Sequence, residues 1–242
     1  MELVVLMGAV ACVFTLGAAA QAVTGFGCAL VTVPLLAPLI GSPRAVIVTV
    51  AVSCAISALG WWRERDHVVG AKARRLSIAG IAGMPLGIIA LTYGGPRSLT
   101  FLIAAVALLV VFALTGRVRL PTGPRAEIGA GIIAGALETS VGMNGPPIVL
   151  TLQGSGLTPK ALRSTLQAVF CTQGAVALTA LTALGHADAA CLPLVLAGLV
   201  GMPLGWRLGD IAFSRLSAGM SRRAVTVGLA FSAAASLLGV LW

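Results

Sequence analysis

Two polar side chains stand one helical turn before short glycine-containing breaks in otherwise apolar sequence. Glu138 lies four residues before Gly142, and Gln21 lies four residues before Gly25. A carboxylate at membrane depth costs at least about 2.5 kcal/mol, so such a residue is protonated, paired or functional. Glu138 is therefore a candidate for proton coupling. The alternative is a neutral carboxyl that caps backbone groups near the break.

The breaks themselves are candidate anion sites. Residues 142–147 include two glycines and two prolines, which do not continue an α-helix because proline lacks the N–H and glycine loses the most backbone entropy. A similar break at 24–28 precedes it by 117 residues, counted from Gly25 to Gly142. Non-helical backbone at this depth persists only where protein or a water-filled cavity satisfies its polar groups. The free N–H groups of the helix that follows would then suit an anion.

A polar stripe follows each break in the sequence. Thr49, Ser53 and Ser57 recur at i, i+4 and i+8, which places them on one face of a helix. The second half has a matching set made of Ser164, Gln167 and Cys171. Such faces line a polar path or pack against other helices. Arg163 precedes the second stripe, and it either holds an anion bidentately or is an ordinary cation at a cytoplasmic helix end.

The predicted substrate site combines residues of both breaks and both stripes. Its members are Gln21, Thr24, Gly25, Phe26, Gly27, Cys28, Thr49, Ser53, Gly142, Met143, Asn144, Gly145, Arg163, Gln167 and Cys171. No metal or cofactor is predicted, because the five cysteines lack metal-ligand spacing and the two histidines lie in separate loops. No catalytic set and no ATP-binding loop is recognisable, so neither an enzyme nor ATP-driven transport is expected.

The composition indicates a polytopic membrane protein. Hydrophobic residues make up 58% of the 242-residue chain and charged residues only 10%. The net charge of +9 does not indicate a nucleic-acid partner, because the cations cluster between apolar segments as the positive-inside rule requires. The expected partners are a lipid bilayer and a small anionic substrate. We expect a multi-pass protein of a bacterial cytoplasmic membrane.

An internal repeat divides the chain into two halves. Residues 79–87 recur as 197–205, 118 positions later, with seven of nine residues identical. Ser42-Pro43 and Thr158-Pro159 also correspond, and each pair reads as a hydroxyl N-cap followed by proline at the first helical position. The predicted halves are 1–116 and 126–242 within a single membrane domain, joined by a linker at 117–125.

Charge predicts that the repeat is inverted. The loop at 61–75 carries five cations and its equivalent at 185–189 carries none, whereas 207–223 carries four and its equivalent at 94–97 carries one. Equivalent loops therefore lie on opposite sides of the membrane. The predicted fold is all-α, and each half has one re-entrant broken-helix hairpin plus three transmembrane helices. This arrangement puts both termini outside and fourteen of the sixteen cations inside.

Several motifs in order resemble a known family. They are Gly25-Phe26-Gly27 followed by Val33-Pro34-Leu35-Leu36, Gly142 followed by Gly145-Pro146-Pro147-Ile148-Val149-Leu150, the duplicated Gly-Met-Pro-Leu-Gly segments, and the run at 162–166. Together they resemble the sulfite exporter TauE/SafE family of membrane permeases. The resemblance implies transport of small sulfur-containing anions such as sulfite or organosulfonates. Many members have consecutive glycines at each break, whereas here Phe26, Cys28, Met143 and Asn144 bring side chains to the tips.

The favoured function is a secondary transporter that binds its anion at the two hairpin tips near the midplane. Two alternatives stay open: a passive anion channel, and a thiosulfate-type sulfur transport protein that uses the thiol of Cys28. The sequence does not give the direction of transport, the coupling ion, or the choice between a monomer and a homodimer.

Overall fold

The computed structural model describes residues 2–24, 27–115 and 121–215. These residues form nine α-helices and one short 3₁₀ turn at Arg65–His67, and none of them lies in a β-strand. The helices are α1 (Glu2–Thr24), α2 (Ala29–Ile40), α3 (Ser42–Glu64), α4 (Gly70–Tyr93), α5 (Pro96–Thr115), α6 (Pro124–Val141), α7 (Gly145–Gln153), α8 (Pro159–Ala183) and α9 (Cys191–Arg215).

Five of the described helices are long and apolar enough to cross a membrane. The five spans are Glu2–Ala22, Ser42–His67, Gly70–Tyr93, Pro159–Ala183 and Cys191–Gly209. The prediction of an all-α polytopic membrane protein is therefore confirmed. In contrast, α2 has 12 residues and α7 has 9, too few for the roughly 20 residues that a crossing requires. The last apolar segment of the sequence, 224–242, lies outside the described residues.

Two predicted boundaries differ from those in the structure. α6 begins at Pro124, inside the segment predicted as the linker, of which 117–120 lie outside the described residues. Ser42 is not the N-cap of α3, because the helix already includes it and Gly41, with φ +83°, occupies the capping position without a side-chain bond. Thr158 is the N-cap of α8 as predicted, since its side chain accepts a hydrogen bond from the N–H of Ala161 at 3.2 Å.

The central pair of helices, α3 and α8, runs antiparallel. Their contacts follow in opposite order along the two helices: Arg44 with Asp188 just beyond α8, Cys54 with Cys171, and Glu64 with Arg163. These two helices are counterparts in the internal repeat. Opposite directions for such counterparts are what an inverted repeat requires. The orientation of the complete halves and the outside location of both termini stay predictions.

Glycines of the duplicated motif bring helices of different halves into backbone contact. Gly83 and Gly87 of α4 face carbonyl oxygens of α6, whereas Gly201 and Gly205 of α9 face carbonyl oxygens of α1. The carbonyls belong to Ile132 and Ala136 in the first case and to Ala11 and Thr15 in the second. A Cβ atom at any of these glycines would collide with the facing backbone. The small-xxx-small spacing of these glycines in the sequence is typical of closely packed membrane helices, and the structure shows that packing.

Polar side chains lie inside the helical bundle and apolar ones cover its surface. The buried polar set at the breaks and the central helices includes Gln21, Thr49, Glu138, Asn144 and Gln173. Leu86, Ile133 and Leu204 are more than half exposed. Lipid suits such an apolar exterior, and polar side chains inside a membrane bundle mark substrate or ion pathways.

Candidate functional site

The second hairpin breaks where the glycines and prolines predict. α6 ends at Val141, and Gly142 adopts the left-handed conformation with φ +71°, which glycine reaches without steric cost. Its N–H bonds back to the carbonyl of Glu138 at 3.0 Å, and the next N–H reaches Leu137 at 3.3 Å. Gly142, Met143, Asn144 and Gly145 are all buried. The predicted tip is therefore a compact non-helical segment enclosed by protein.

A chain of hydrogen bonds anchors Asn144 at this tip. Its Nδ2 donates to Oε1 of Gln173 on α8 at 3.1 Å, and Nε2 of Gln173 donates to the carbonyl of Leu76 on α4 at 3.1 Å. Gln173 is fully buried, and it packs against Gly80, where a Cβ would overlap its amide. The tip is thus tied to two other helices through one side chain.

Gln173 is a site residue that the sequence analysis missed. α8 contains two glutamines, and Gln173 falls outside the stripe of Ser164, Gln167 and Cys171, so no periodic pattern assigned it to a site. The available signal was the rarity of a buried amide in a transmembrane helix, which marks either a helix contact or a pathway.

Glu138 lies directly beneath the tip. It is only 3% exposed, and its carboxyl group accepts a hydrogen bond from the backbone N–H of Asn144. The tip contacts the other hairpin at Gly142, where a Cβ atom would lie 3.4 Å from the side chain of Val33 on α2. Glu138 therefore caps the backbone of a tip that packs against the second arm of the other hairpin.

The first hairpin is described on both sides of its tip. Gly25 and Phe26 lie outside the described residues, and of Thr24 only its place as the last residue of α1 is described. Gly27 has a left-handed φ of +91°, and Cys28 immediately precedes α2. Gln21 is 6% exposed, and its Oε1 is buried without a hydrogen-bond partner among the described residues. An unpartnered buried oxygen at the position equivalent to Glu138 is the main difference between the two hairpins.

The stripe on α3 faces α2. Sγ of Cys28 lies 3.0 Å from Oγ of Ser53, and Oγ1 of Thr32 lies 3.4 Å from Oγ1 of Thr49. Thr49 and Thr32 are fully buried and Cys28 nearly so. The structure therefore brings Thr49 and Ser53 to the start of the second arm of the first hairpin.

The stripe on α8 spreads over more of its helix. Cys171 meets α3, where its carbonyl accepts from the thiol of Cys54 at 3.6 Å. Gln167 is 4% exposed and packs against Gly60 toward the far end of α3, and its Oε1 has no partner in the described part of the chain. Cys171 therefore lies between the central helices, whereas the contacts described for Gln167 are away from the tips.

Arg163 lies at the end of the central pair. Its Nε is 3.5 Å from Oε1 of Glu64, and its guanidinium stacks over the ring of Trp206 at 4.9 Å. Its side chain is 45% exposed. These contacts are those of a cation at a helix end, which is one of the two roles the sequence left open.

At the opposite end of the pair, Arg44 binds Asp188 through two hydrogen bonds of 2.7 and 3.1 Å. Hydrogen bonds from the thiol of Cys191 and from Arg44 hold the pKa of Asp188 below its ordinary value. Both partners are about half exposed, and exposed ion pairs of this kind contribute little to stability.

Glu127 is a second buried carboxylate, also missed from the sequence. Its side chain is fully buried at the start of α6 and forms ion pairs with Lys72 and Arg75 of α4. The signal in the sequence was the spacing of Lys72 and Arg75, which are three residues apart and so lie on one face of α4. Removing one partner of such a buried cluster leaves an uncompensated charge. We therefore assign Glu127 to structure.

The described cations lie outside the buried tips. Of the lysine and arginine side chains whose burial the structure describes, none is fully buried. Among the described residues, the groups that could hold an anion at the tips are therefore neutral donors and helix ends. Within the described residues, no group of three His, Cys, Asp or Glu side chains could hold a metal ion.

The two second arms differ in the donors they offer. α7 begins Gly145-Pro146-Pro147, so two of its first three residues lack an N–H. α2 begins at Ala29 after Cys28, and its first turn keeps backbone N–H groups that intrahelical bonding does not use. The anion seat expected at the start of α7 is therefore poorer in donors than the start of α2.

Comparison with known proteins assigns the chain to a family. The model of the sulfite exporter TauE/SafE family matches residues 9–236, which is nearly the whole sequence. Searches of curated proteins and of solved structures gave no match. The matched range includes both hairpins, the central helices and the duplicated glycine motif of this chain. The chain belongs to the sulfite exporter TauE/SafE family.

Proposed function

We propose that this protein is a secondary transporter that moves sulfite or a small organosulfonate by alternating access. Its family supports the class of substrate. The observation that carries the location of the site is the contact between the two hairpins, where a Cβ atom at Gly142 in the second tip would lie 3.4 Å from the side chain of Val33 on α2. In transporters built from repeats, substrates bind near the midplane between such discontinuous helices.

The broken backbone supports a binding role over a mere kink. Residues 142–145 are all buried, and Gln173 and Glu138 form hydrogen bonds with this segment. The first three residues are non-helical and the fourth begins α7. Irregular backbone at membrane depth occurs only where it is buried in protein or lines a cavity. Helix packing alone would need no asparagine and no carboxyl group at the tip.

The charge around the site supports a weakly held anion. The backbone N–H groups at the start of α2 supply partial positive charge, and the cations described remain at the helix ends. A carrier must release its substrate in every cycle. Binding through partial charges and neutral donors suits that requirement better than binding by a buried arginine.

The experiment is sulfite flux into proteoliposomes that contain the purified protein. A transporter gives uptake that saturates with sulfite concentration and is accelerated by sulfite on the opposite side. Protein-free liposomes provide the background. Flux that rises linearly and shows no acceleration from the opposite side would replace the transporter with a channel. No flux and no binding of sulfite or any sulfonate would remove the proposed function.

A further inference from the structure

The buried polar groups around the tips are mainly hydrogen-bond acceptors. We propose that the site selects small sulfur-containing monoanions that carry their own O–H or N–H donor, and that it discriminates against donor-free sulfonates and against dianions. This inference rests on the proposed function and narrows the class of substrate at that same site.

The orientation of Asn144 follows from the group at the end of its hydrogen-bond chain. The carbonyl of Leu76 can only accept, so the NH₂ group of Gln173 must point toward it. Oε1 of Gln173 then faces Asn144 and receives the NH₂ group of that residue. The donor end of Asn144 is thereby occupied. Gln173 does not bind the amide oxygen of Asn144, which is a hydrogen-bond acceptor.

Gln21 adds a second acceptor on the other hairpin. Its Oε1 is buried and has no hydrogen-bond partner among the described residues. Gly17, one turn earlier on α1, lies against the start of α2, where a Cβ would be 3.2 Å from the carbonyl of Cys28. Gln21 therefore belongs to the face of α1 that meets α2. A buried oxygen without a donor is costly, and a ligand that brings a donor removes that cost.

The hydroxyl groups near the second tip are not free to donate to a ligand. Thr139 donates to the carbonyls of Met84 and Gly135, Ser140 donates to Ala136, and Thr151 donates to Pro147, at 2.7 to 3.1 Å. A ligand with oxygens alone would leave the amide oxygens of Gln21 and Asn144 without a donor.

These groups divide the ligand into two ends. The sulfur oxyanion suits the backbone N–H groups at the beginning of α2, and an O–H or N–H group suits the amide oxygens of Gln21 and Asn144. A second negative charge would instead face those two oxygens. A site built to hydrogen-bond a substrate donor strongly rejects the analogue that lacks it, because its own acceptor is left unpaired.

Two sulfonates of one charge and nearly one size test this inference at a single pH. Isethionate, 2-hydroxyethanesulfonate, carries a terminal O–H where propane-1-sulfonate carries a methyl group. We expect purified wild-type protein to bind isethionate at least about tenfold more tightly, as one buried hydrogen bond implies. We also expect sulfate, a dianion, to bind more weakly than isethionate. Equal affinity for the two sulfonates would overturn the donor requirement and leave the proposed function intact.

Variants locate the acceptor. Gln21→Leu should reduce the preference for isethionate over propane-1-sulfonate to about threefold or less, since it removes the unpartnered oxygen. Gln153→Leu, a matched change at the exposed end of α7, should leave the preference at its wild-type value. A full preference in folded Gln21→Leu would overturn the assignment of Gln21. Failure of the wild type to bind sulfite and both sulfonates would overturn the proposed function together with this inference.

Discussion

The two hairpins share their packing but differ at their tips. In each, the first arm lies against a glycine-bearing helix of the other half, α6 against α4 and α1 against α9. At the second tip, Glu138 and Asn144 are bonded within the protein, whereas at the first the equivalent Gln21 has an oxygen without a partner among the described residues. The shared packing is scaffold. The difference indicates that bonds within the protein hold the second tip, whereas the first leaves a whole amide oxygen to a ligand.

The packing of the two hairpins is not superimposable in register. Gly87 faces Ala136, six residues before Gly142, whereas its counterpart Gly205 faces Thr15, ten residues before Gly25. The difference of four residues is about one helical turn. We call the contacts of Gly83 and Gly87 on α4, and of Gly201 and Gly205 on α9, the glycine seam. The seam therefore holds the first arm at a different distance from its break in each half.

The largest effect is expected from breaking the shared packing. Gly83→Val and Gly201→Val each force a side chain into a facing carbonyl, so each should destabilise the protein by about 1–3 kcal/mol or prevent folding. Thermal unfolding in detergent and size-exclusion profiles measure this. Gly8→Val and Gly129→Val are the controls, because no heavy atom lies within 4 Å of their Cβ positions. If the seam variants are as stable as the controls, the seam is not a structural contact.

The next effect concerns the closed tip. Asn144→Leu leaves Oε1 of Gln173 buried without its donor, which should cost about 1–3 kcal/mol of stability. Sulfite binding, measured calorimetrically, should fall at least about tenfold because the tip loses its anchor. Gln153→Leu again provides an exposed amide as control. Wild-type affinity in Asn144→Leu would place the anion away from the second tip.

Exchanging the equivalent residues sharpens the comparison. Glu138→Gln keeps an oxygen that accepts the N–H of Asn144, so stability should change by less than about 1 kcal/mol. If Glu138 carries a coupled proton, one of the two roles that the sequence leaves open, the variant should still bind sulfite but lose the response of flux to a pH gradient. Proteoliposomes with and without the gradient measure this. A wild-type response would leave Glu138 with the capping role alone.

The smallest effect is expected at the thiol of the first tip. Cys28→Ser preserves a hydrogen-bonding group beside Ser53 and should leave sulfite flux near its wild-type value. Loss of flux in a folded Cys28→Ser protein would favour the alternative in which the thiol takes part in sulfur transfer. Cys12→Ser, at an exposed position on α1, is the matched control.

The breaks, the short second arms and the glycine seam were predictable from the sequence because each depends on local chemistry. Glycine and proline stop a helix wherever they occur, and a repeated small-residue spacing indicates a close helix contact. The sequence also predicted a hydroxyl N-cap followed by proline for both α3 and α8, although Gly41 rather than Ser42 caps α3. A glycine with positive φ competes with a hydroxyl cap, and nothing in the local sequence decides between them.

The bonds between polar side chains of different helices, in the site and in the scaffold, were not predictable. Asn144 and Gln173 are 29 residues apart on different helices, and Glu127 finds Lys72 and Arg75 across more than 50 positions. Such pairs depend on how helices cross, which hydrophobic periodicity does not specify. For the same reason the sequence identified Gln21 and Glu138 as equivalent but did not show that one is bonded and the other unpartnered.

The antiparallel course of α3 and α8 has an electrical consequence. Each helix carries a dipole along its axis, and in an antiparallel pair of similar length the two dipoles largely cancel. The 23 residues of α3 and 25 of α8 are well matched. The central pair therefore contributes little net dipole field along its axis, so the field inside the bundle comes mainly from other helix ends and from polar side chains.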